Sequence, residues 1–231
     1  QKNNNFDSIS ASKLLLKKIK ENSYKNIFVF GIGGSYEGPK LLHEFTETRD
    51  NLYFITGPDK DEFLSLVKPR LKEKNLYVFI SKSFSTDEVL LSHSWLPKNV
   101  AKSNLFAITA NKSKAIELGF VKKNIIDFPK SIGGRYSIWS QVSSPVLLPN
   151  EYKDFLRGAA SIDDDVQKKL NVKNALKSIV FHDIWSHNFL SKKNRVILSY
   201  NWKLRSITNY IQQLEMESLG KPNNPESMFT N

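Results

Sequence analysis

Leu76-Tyr77-Val78-Phe79-Ile80-Ser81-Lys82-Ser83-Phe84-Ser85-Thr86 joins a continuous apolar run to a helical pattern that continues from Asp87 to Trp95. Five apolar residues in a row, closed by turn-forming residues, predict a buried strand of a parallel sheet. The turn that follows carries four hydroxyls and a lysine. A strand-to-helix turn is where an α/β sheet receives anions. The first N–H groups of a helix lack internal partners and carry the positive end of its dipole. Small hydroxyl side chains add hydrogen bonds without obstructing a phosphate. The same residue types also make an ordinary helix N-cap, so on this stretch alone the two readings stand level.

The strand–turn–helix rhythm extends in both directions. Upstream, apolar spacing over Ser8–Ser23 predicts a helix, Asn26–Phe30 a strand, Gly38–Phe45 a helix, Leu52–Ile55 a strand and Asp61–Val67 a helix. Downstream, Leu105–Thr109 and Asn124–Phe128 predict strands on either side of a helix at Lys112–Leu118. Strands alternating with helices imply a mainly parallel sheet covered on both faces, an α/β three-layer αβα sandwich. After Pro129 the rhythm changes. A helix-like stretch begins at Ser137, longer helical patterns cover Asn150–Leu170 and Lys173–Leu190, and Leu204–Leu219 predicts another helix. Val196–Tyr200 predicts a strong strand, and Pro222–Asn231 a loop. The expected organisation is a first domain over residues 1–145, then a helical connection and the start of a second αβα domain over 146–231.

Composition narrows the function classes. The chain has 231 residues, 40% hydrophobic and 25% charged, as an ordinary globular protein has. No run approaches the ~20 apolar residues that span a bilayer, and the polar start Gln1–Asn5 lacks the apolar stretch of a signal peptide. There are no cysteines, which excludes disulfides and thiolate chemistry and fits a cytoplasmic location. The four histidines, His43, His93, His182 and His187, lack metal-ligand spacing, so no metal is expected. Net charge is +11. Lysines far outnumber arginines and look dispersed along the sequence, with only brief clusters such as Lys122-Lys123. That dispersal predicts solvated faces that steer anionic metabolites, with no nucleic-acid partner.

Three further segments carry chemistry. Gly31-Ile32-Gly33-Gly34-Ser35 leaves a predicted strand and enters a helix, so its backbone is open to a ligand. Its spacing does not meet the G-x-G-x-x-G dinucleotide pattern. Gly133-Gly134-Arg135-Tyr136-Ser137 projects an arginine from a tight turn, where a permanent cation can stabilise a developing oxyanion. Gln213 and Glu217 are four apart on one helix face, with Gly220 as a natural stop. A carboxylate so placed suits a general base. Each of these also has a plain reading: a capped turn, a surface arginine, a solvated glutamate.

Together with Gly38-Pro39, the Ser81–Thr86 turn, Gly133–Trp139 and Gln213-Leu214-Glu215-Met216-Glu217-Ser218-x-Gly220-Lys221, the ordered set resembles the phosphoglucose isomerase family from about Asn26 to Lys221. The resemblance implies two sugar-isomerase (SIS) domains, the first complete here and the second begun. It implies a cytoplasmic, homodimeric aldose–ketose isomerase of glycolysis and gluconeogenesis, interconverting glucose 6-phosphate and fructose 6-phosphate without cofactor. It assigns the phosphate to Ser81, the backbone of Lys82, Ser83 and Thr86, and sugar contacts to Gly34 and Ser35. Gln213 would orient the substrate, Arg135 would stabilise a cis-enediolate, and Glu217 would move the proton between carbons 1 and 2. The family's ring-opening histidine and late lysine lie beyond its Met-Glu-Ser-x-Gly-Lys segment, so this stretch alone is expected to be inactive. The alternative is a non-catalytic SIS module that binds or senses a sugar phosphate. Departures from the family pattern include Asp87-Glu88, Tyr36-Glu37 and Trp202–Asn209.

Overall fold

Continuous apolar runs become the interior of a five-stranded sheet, all of it parallel. The computed structural model describes residues 2–219 other than 48 and 193, with side chains from residue 8 onward. In chain order the main elements are α1 (Lys2–Asn22), β1 (Asn26–Phe30), α2 (Glu37–Thr46), β2 (Leu52–Ile55) and α3 (Lys60–Leu66). They continue as β3 (Asn75–Ile80), α4 (Asp87–Ser94), β4 (Leu105–Thr109), α5 (Lys112–Glu117) and β5 (Ile125–Asp127). Three long helices follow: α6 (Pro149–Lys168), α7 (Leu170–Asn188) and α8 (Ile207–Leu219). The strands stand in the order β2-β1-β3-β4-β5.

Every residue of β1, β3 and β4 is buried, because both faces of the sheet are covered. Alternate side chains supply the two cores. Ile27, Val29, Leu76, Val78, Phe106 and Ile108 face one way, onto the layer that includes α1 and α6. Phe28, Phe30, Tyr77, Phe79, Leu105 and Ala107 face the other, with Phe63 of α3, Val89 of α4 and Ala115 of α5. On that second face the rings stack across strands, Phe30 on Phe79 with centroids 4.2 Å apart and Phe28 on Tyr77 at 5.6 Å. The α/β sandwich expected from the sequence is thus formed, and it matters for function because of one topological detail. From β1 the chain crosses to β2 on one side and later returns to β3 on the other. The carboxyl ends of β1 and β3 are therefore a switch point, where a crevice opens above the sheet.

The predicted strand Val196–Tyr200 is not a strand. These residues pair with no other segment, and Val196, Leu198 and Tyr200 are 77%, 67% and 93% exposed. A strand exists only through a partner's ladder, and no second sheet forms among the described residues. The chain breaks between α6 and α7 at Lys169, whose backbone is extended. The predicted helix at Leu204–Leu219 is shorter, a 3-10 turn at Trp202–Leu204 followed by α8. Gly220, Lys221 and the predicted loop Pro222–Asn231 lie outside the described residues.

Candidate functional site

The hydroxyl turn leaves β3 at the switch point. Ser81 is buried and its Oγ meets Thr86 Oγ1 at 2.9 Å, closing the turn across its base. The same Oγ accepts the Phe84 N–H at 3.1 Å. Thr86 stands at the N-cap of α4 with no side-chain cap bond, so its hydroxyl braces Ser81 and leaves the start of the helix open. Phe84 adopts the left-handed conformation at φ 54, which most side chains avoid. Its ring compensates by burial, standing edge-on to Phe120 with centroids 5.3 Å apart. Carbonyls are tied back as well: Ala110 N–H and Thr109 Oγ1 donate to Lys82 O, and Asn111 Nδ2 donates to Ser83 O. These bonds turn the carbonyls toward β4. Ser83 and Lys82 are exposed.

The two glycine loops meet beside it. A 3-10 turn, Gly33–Ser35, follows β1, and a second, Gly134–Trp139, follows β5. A Cβ on Gly34 would fall 2.3 Å from the Gly134 carbonyl oxygen, so the loops touch only because residue 34 has no side chain. Ser137, which is buried, donates from Oγ to the Gly34 carbonyl at 2.7 Å and locks that contact. Lys82 Nζ reaches across to the Ile132 carbonyl at 2.9 Å, linking the hydroxyl turn to the approach of the second glycine loop. Between the three segments lies a cavity of about 180 Å³, whose polar lining comes from Gly34, Ser35, Ser81, Lys82, Thr86 and Ser137.

α8 brings the carboxylate. A Cβ on Gly134 would lie 2.8 Å from Glu217 Oε2, so the carboxylate packs directly on that backbone. Gln213, one turn earlier, donates from Nε2 to Glu217 Oε2 at 2.7 Å, while its own Oε1 is buried without a partner among the described residues. Arg135 Nη1 stands 3.7 Å from Glu217 Oε1. The guanidinium also lies over the Tyr136 ring at 5.1 Å. Hydrogen bonding to Tyr136, with the charge of Glu217 behind it, raises the arginine pKa above its ordinary value. A carboxylate beside a permanent cation can remove a proton and stabilise the charge left behind. Among the described residues no group of three or more His, Asp or Glu could hold a metal ion.

The fold thus brings together the predicted Gly34, Ser35, Ser81, Lys82 and Thr86 around one cavity, and Arg135, Gln213 and Glu217 at one carboxylate centre next to Gly134. Ser83 is set apart, its Oγ engaged with Ser85. Sequence alone gives no role to Ser137, and to Gly134 only that of turning Arg135 outward; the fold uses both residues to join the loops to each other and Gly134 to seat α8. The adjacent glycines at 133 and 134 predict a tight turn, and a contact with a helix about eighty residues later leaves no local signal.

The phosphoglucose isomerase family model matches residues 15–231. A glucose-6-phosphate isomerase of Ectopseudomonas mendocina is 32% identical over 217 residues, covering 87% of this chain and 39% of that relative. Another, of Coxiella burnetii, is 32% identical over 247 residues, covering 95% and 45%. Among solved structures, a glucose-6-phosphate isomerase from Chlamydia trachomatis superposes with TM-score 0.75 at 23% identity, covering 93% of this chain and 44% of that one. A hypothetical protein from Thermus thermophilus gives TM-score 0.75 at 24% identity, covering 94% and 54%. These two likenesses show the fold. The chain spans less than half the length of these curated relatives. No helix among the described residues is long and apolar enough to cross a membrane. With the family model covering nearly the whole sequence, the chain belongs to the phosphoglucose isomerase family.

Proposed function

We propose that the intact protein interconverts glucose 6-phosphate and fructose 6-phosphate, and that this chain supplies its phosphate cradle, its base and its enediolate-stabilising cation. The observation that carries the reading is the Glu217 carboxylate packed on the Gly134 backbone with Arg135 Nη1 at 3.7 Å. Ser81, the Lys82 backbone and Thr86 hold the 6-phosphate at the opening of α4, and Ser83 joins them by turning its hydroxyl from Ser85 to the phosphate. Gly34 and Ser35 contact the sugar, and Gln213 orients both the substrate and Glu217.

In the forward direction Glu217 takes the proton from carbon 2 of the open aldose. The C–H electron pair forms the carbon 1–carbon 2 double bond, and charge moves onto the carbonyl oxygen at carbon 1. Arg135 stabilises the resulting cis-enediolate. As the carbonyl forms at carbon 2, Glu217 returns the proton to carbon 1, and the second hydroxyl proton shifts between the oxygens. Atoms balance and no net oxidation occurs. Residues 1–145 form the sugar-phosphate domain, and residues 146–231 begin the second one. The cytoplasm and a homodimer are the proposed setting, as the family resemblance implies.

The test is Glu217→Gln in the intact protein. A positioned base contributes roughly 10²–10⁴-fold, so kcat should fall by at least about a hundredfold, and exchange of the carbon 2 proton with solvent should stop. A fall of less than about tenfold, roughly 1.4 kcal/mol, would reject Glu217 as the base.

A further inference from the structure

The loops that enter the sheet differ chemically from those that leave it. β1, β3, β4 and β5 are neighbours in that spatial order, and each is approached through basic residues. Lys25 stands directly before β1 and Lys74 directly before β3. Lys72 and the 3-10 turn Lys68–Arg70 extend the approach to β3. Lys98 and Lys102 precede β4, and Lys122 and Lys123 form the turn before β5. All of these lysines are exposed, and Arg70 is half-buried. The same loops hold one carboxylate, Glu73, which accepts a hydrogen bond from Asn26. None of these cations takes part in an ion pair among the described residues. Several lysines elsewhere are paired: Lys112, Lys114, Lys168 and Lys169 each face a carboxylate.

The cationic edge stands on a stiff frame. Lys25 N–H donates to the Lys74 carbonyl at 2.7 Å, and Asn26 Nδ2 donates to Asn75 Oδ1 at 2.8 Å. The Tyr24 hydroxyl donates to Asn104 Oδ1 at 2.9 Å. Asn124 Nδ2 donates to the Ser103 and Leu105 carbonyls, both at 3.0 Å. Buried asparagines at the strand entries therefore fix neighbouring loops to one another. The lysine backbones are held side by side, so their positive charge stays concentrated at one edge, where it attracts a polyanion. The expectation of no nucleic-acid partner rested on lysines dispersed along the sequence, and folding gathers them.

We propose that this strand-entry edge binds nucleic acid through its phosphate backbone, without regard to base sequence. Adjacent strands lie about 4.8 Å apart, so β1 to β5 spans about 14 Å. A duplex carries one charge per ~1.7 Å of axis, and about four phosphates of its near side face such a row. No large apolar side chain is exposed in these loops. Nothing there would insert into a lipid surface, and no exposed ring would stack on bases. Lysines acting as point charges suit a backbone contact.

The test titrates the intact protein with a short fluorescent duplex of mixed sequence over a series of salt concentrations. With about four contacts, the logarithm of the binding constant should fall against log salt with a slope of about −3.6. Lys74→Gln, Lys102→Gln, Lys122→Gln and Lys123→Gln together should weaken binding at least tenfold and remove most of that slope. The pair Lys122→Gln and Lys123→Gln alone should flatten it by about 1.8. Near-UV circular dichroism checks that each variant is folded. A control with Lys153→Gln, Lys168→Gln, Lys169→Gln and Lys173→Gln removes the same charge from α6 and α7 and should stay within about twofold of the parent. Equal loss in the control would overturn the proposal, since net charge and not the edge would then be responsible. Binding to phosphatidylserine vesicles with no duplex binding at low salt would overturn it too.

Discussion

Gly134 ties the backbone of one loop to the carboxylate of a distant helix. A methyl group there would meet Glu217 Oε2 at 2.8 Å and Oε1 at 3.2 Å. Both atoms are the far end of a flexible side chain, so the carboxylate can move aside at little cost to the fold. Gly134→Ala should therefore leave the denaturant midpoint nearly unchanged while shifting the base by about an ångström. Such a misplacement costs up to about a hundredfold in rate. The expected result in the intact protein is a kcat lowered by roughly 10- to 100-fold, with KM for fructose 6-phosphate changed much less. Parallel steady-state kinetics and urea unfolding check it. A loss of stability with kcat retained would mean that Gly134 serves packing alone. Gly34 behaves differently, because its Cβ would meet the backbone of Gly134, which cannot step aside.

At the scale of elements, the hydroxyl turn and α4 are backed by an aromatic cluster containing a histidine. His93 stacks on Phe120 at 5.3 Å and stands edge-on to Phe79 at 5.3 Å, and Phe120 in turn supports Phe84 of the turn. Burial holds the His93 pKa below its ordinary 6.5. His43 on α2 is lowered as well, by burial outweighing the attraction of Glu44. A base whose folded pKa is depressed binds fewer protons when folded. Stability is then full above about pH 6.5 and falls as pH drops toward the folded pKa, by at most about 1.4 kcal/mol per pH unit for each proton. His93→Phe should reduce that acid loss, leaving the part due to His43. Urea midpoints of parent and variant at pH 7.5 and 5.5 measure the difference. An unchanged pH dependence would remove His93 from the account.

The same elements explain what the sequence disclosed. β1, β3 and β4 were legible because strands buried on both faces are apolar nearly throughout, and turn-forming residues close each run, Gly31, Ser81 and, after β4, Asn111. Val196–Tyr200 has the same composition without a partner beside it, and partners are a property of the fold. The site was half legible in the same way. Local motifs exposed Ser81–Thr86 and Glu217, but the Gly34–Gly134 contact joins residues a hundred positions apart.

At the scale of the whole molecule, one apolar face stands uncovered among the described residues. α7 buries none of its residues, and Ile179, Val180, Phe181 and Ile184 are each at least half exposed. Phe181, Trp185 and Phe189 form a ladder of stacked rings at helical spacing, with centroids 5.8 and 4.5 Å apart. Val196, Leu198, Tyr200 and Trp202 extend the apolar surface. Curated relatives are more than twice as long as the segment they share with this chain. The proposal that residues 146–231 begin a second domain gives this face an occupant: the remainder of that domain in the intact protein. Opposite outcomes in two settings test it. In residues 1–231 expressed alone, Phe181→Lys should reduce self-association, seen as a shift toward monomer in sedimentation velocity. In the intact protein the same change places an unpaired ammonium in an interior and removes a buried ring, costing about 3–5 kcal/mol. Its urea midpoint should fall accordingly. If the intact protein tolerates Phe181→Lys within about 0.5 kcal/mol, as ordinary surface sites do, the face stays open to solvent and the second-domain proposal fails.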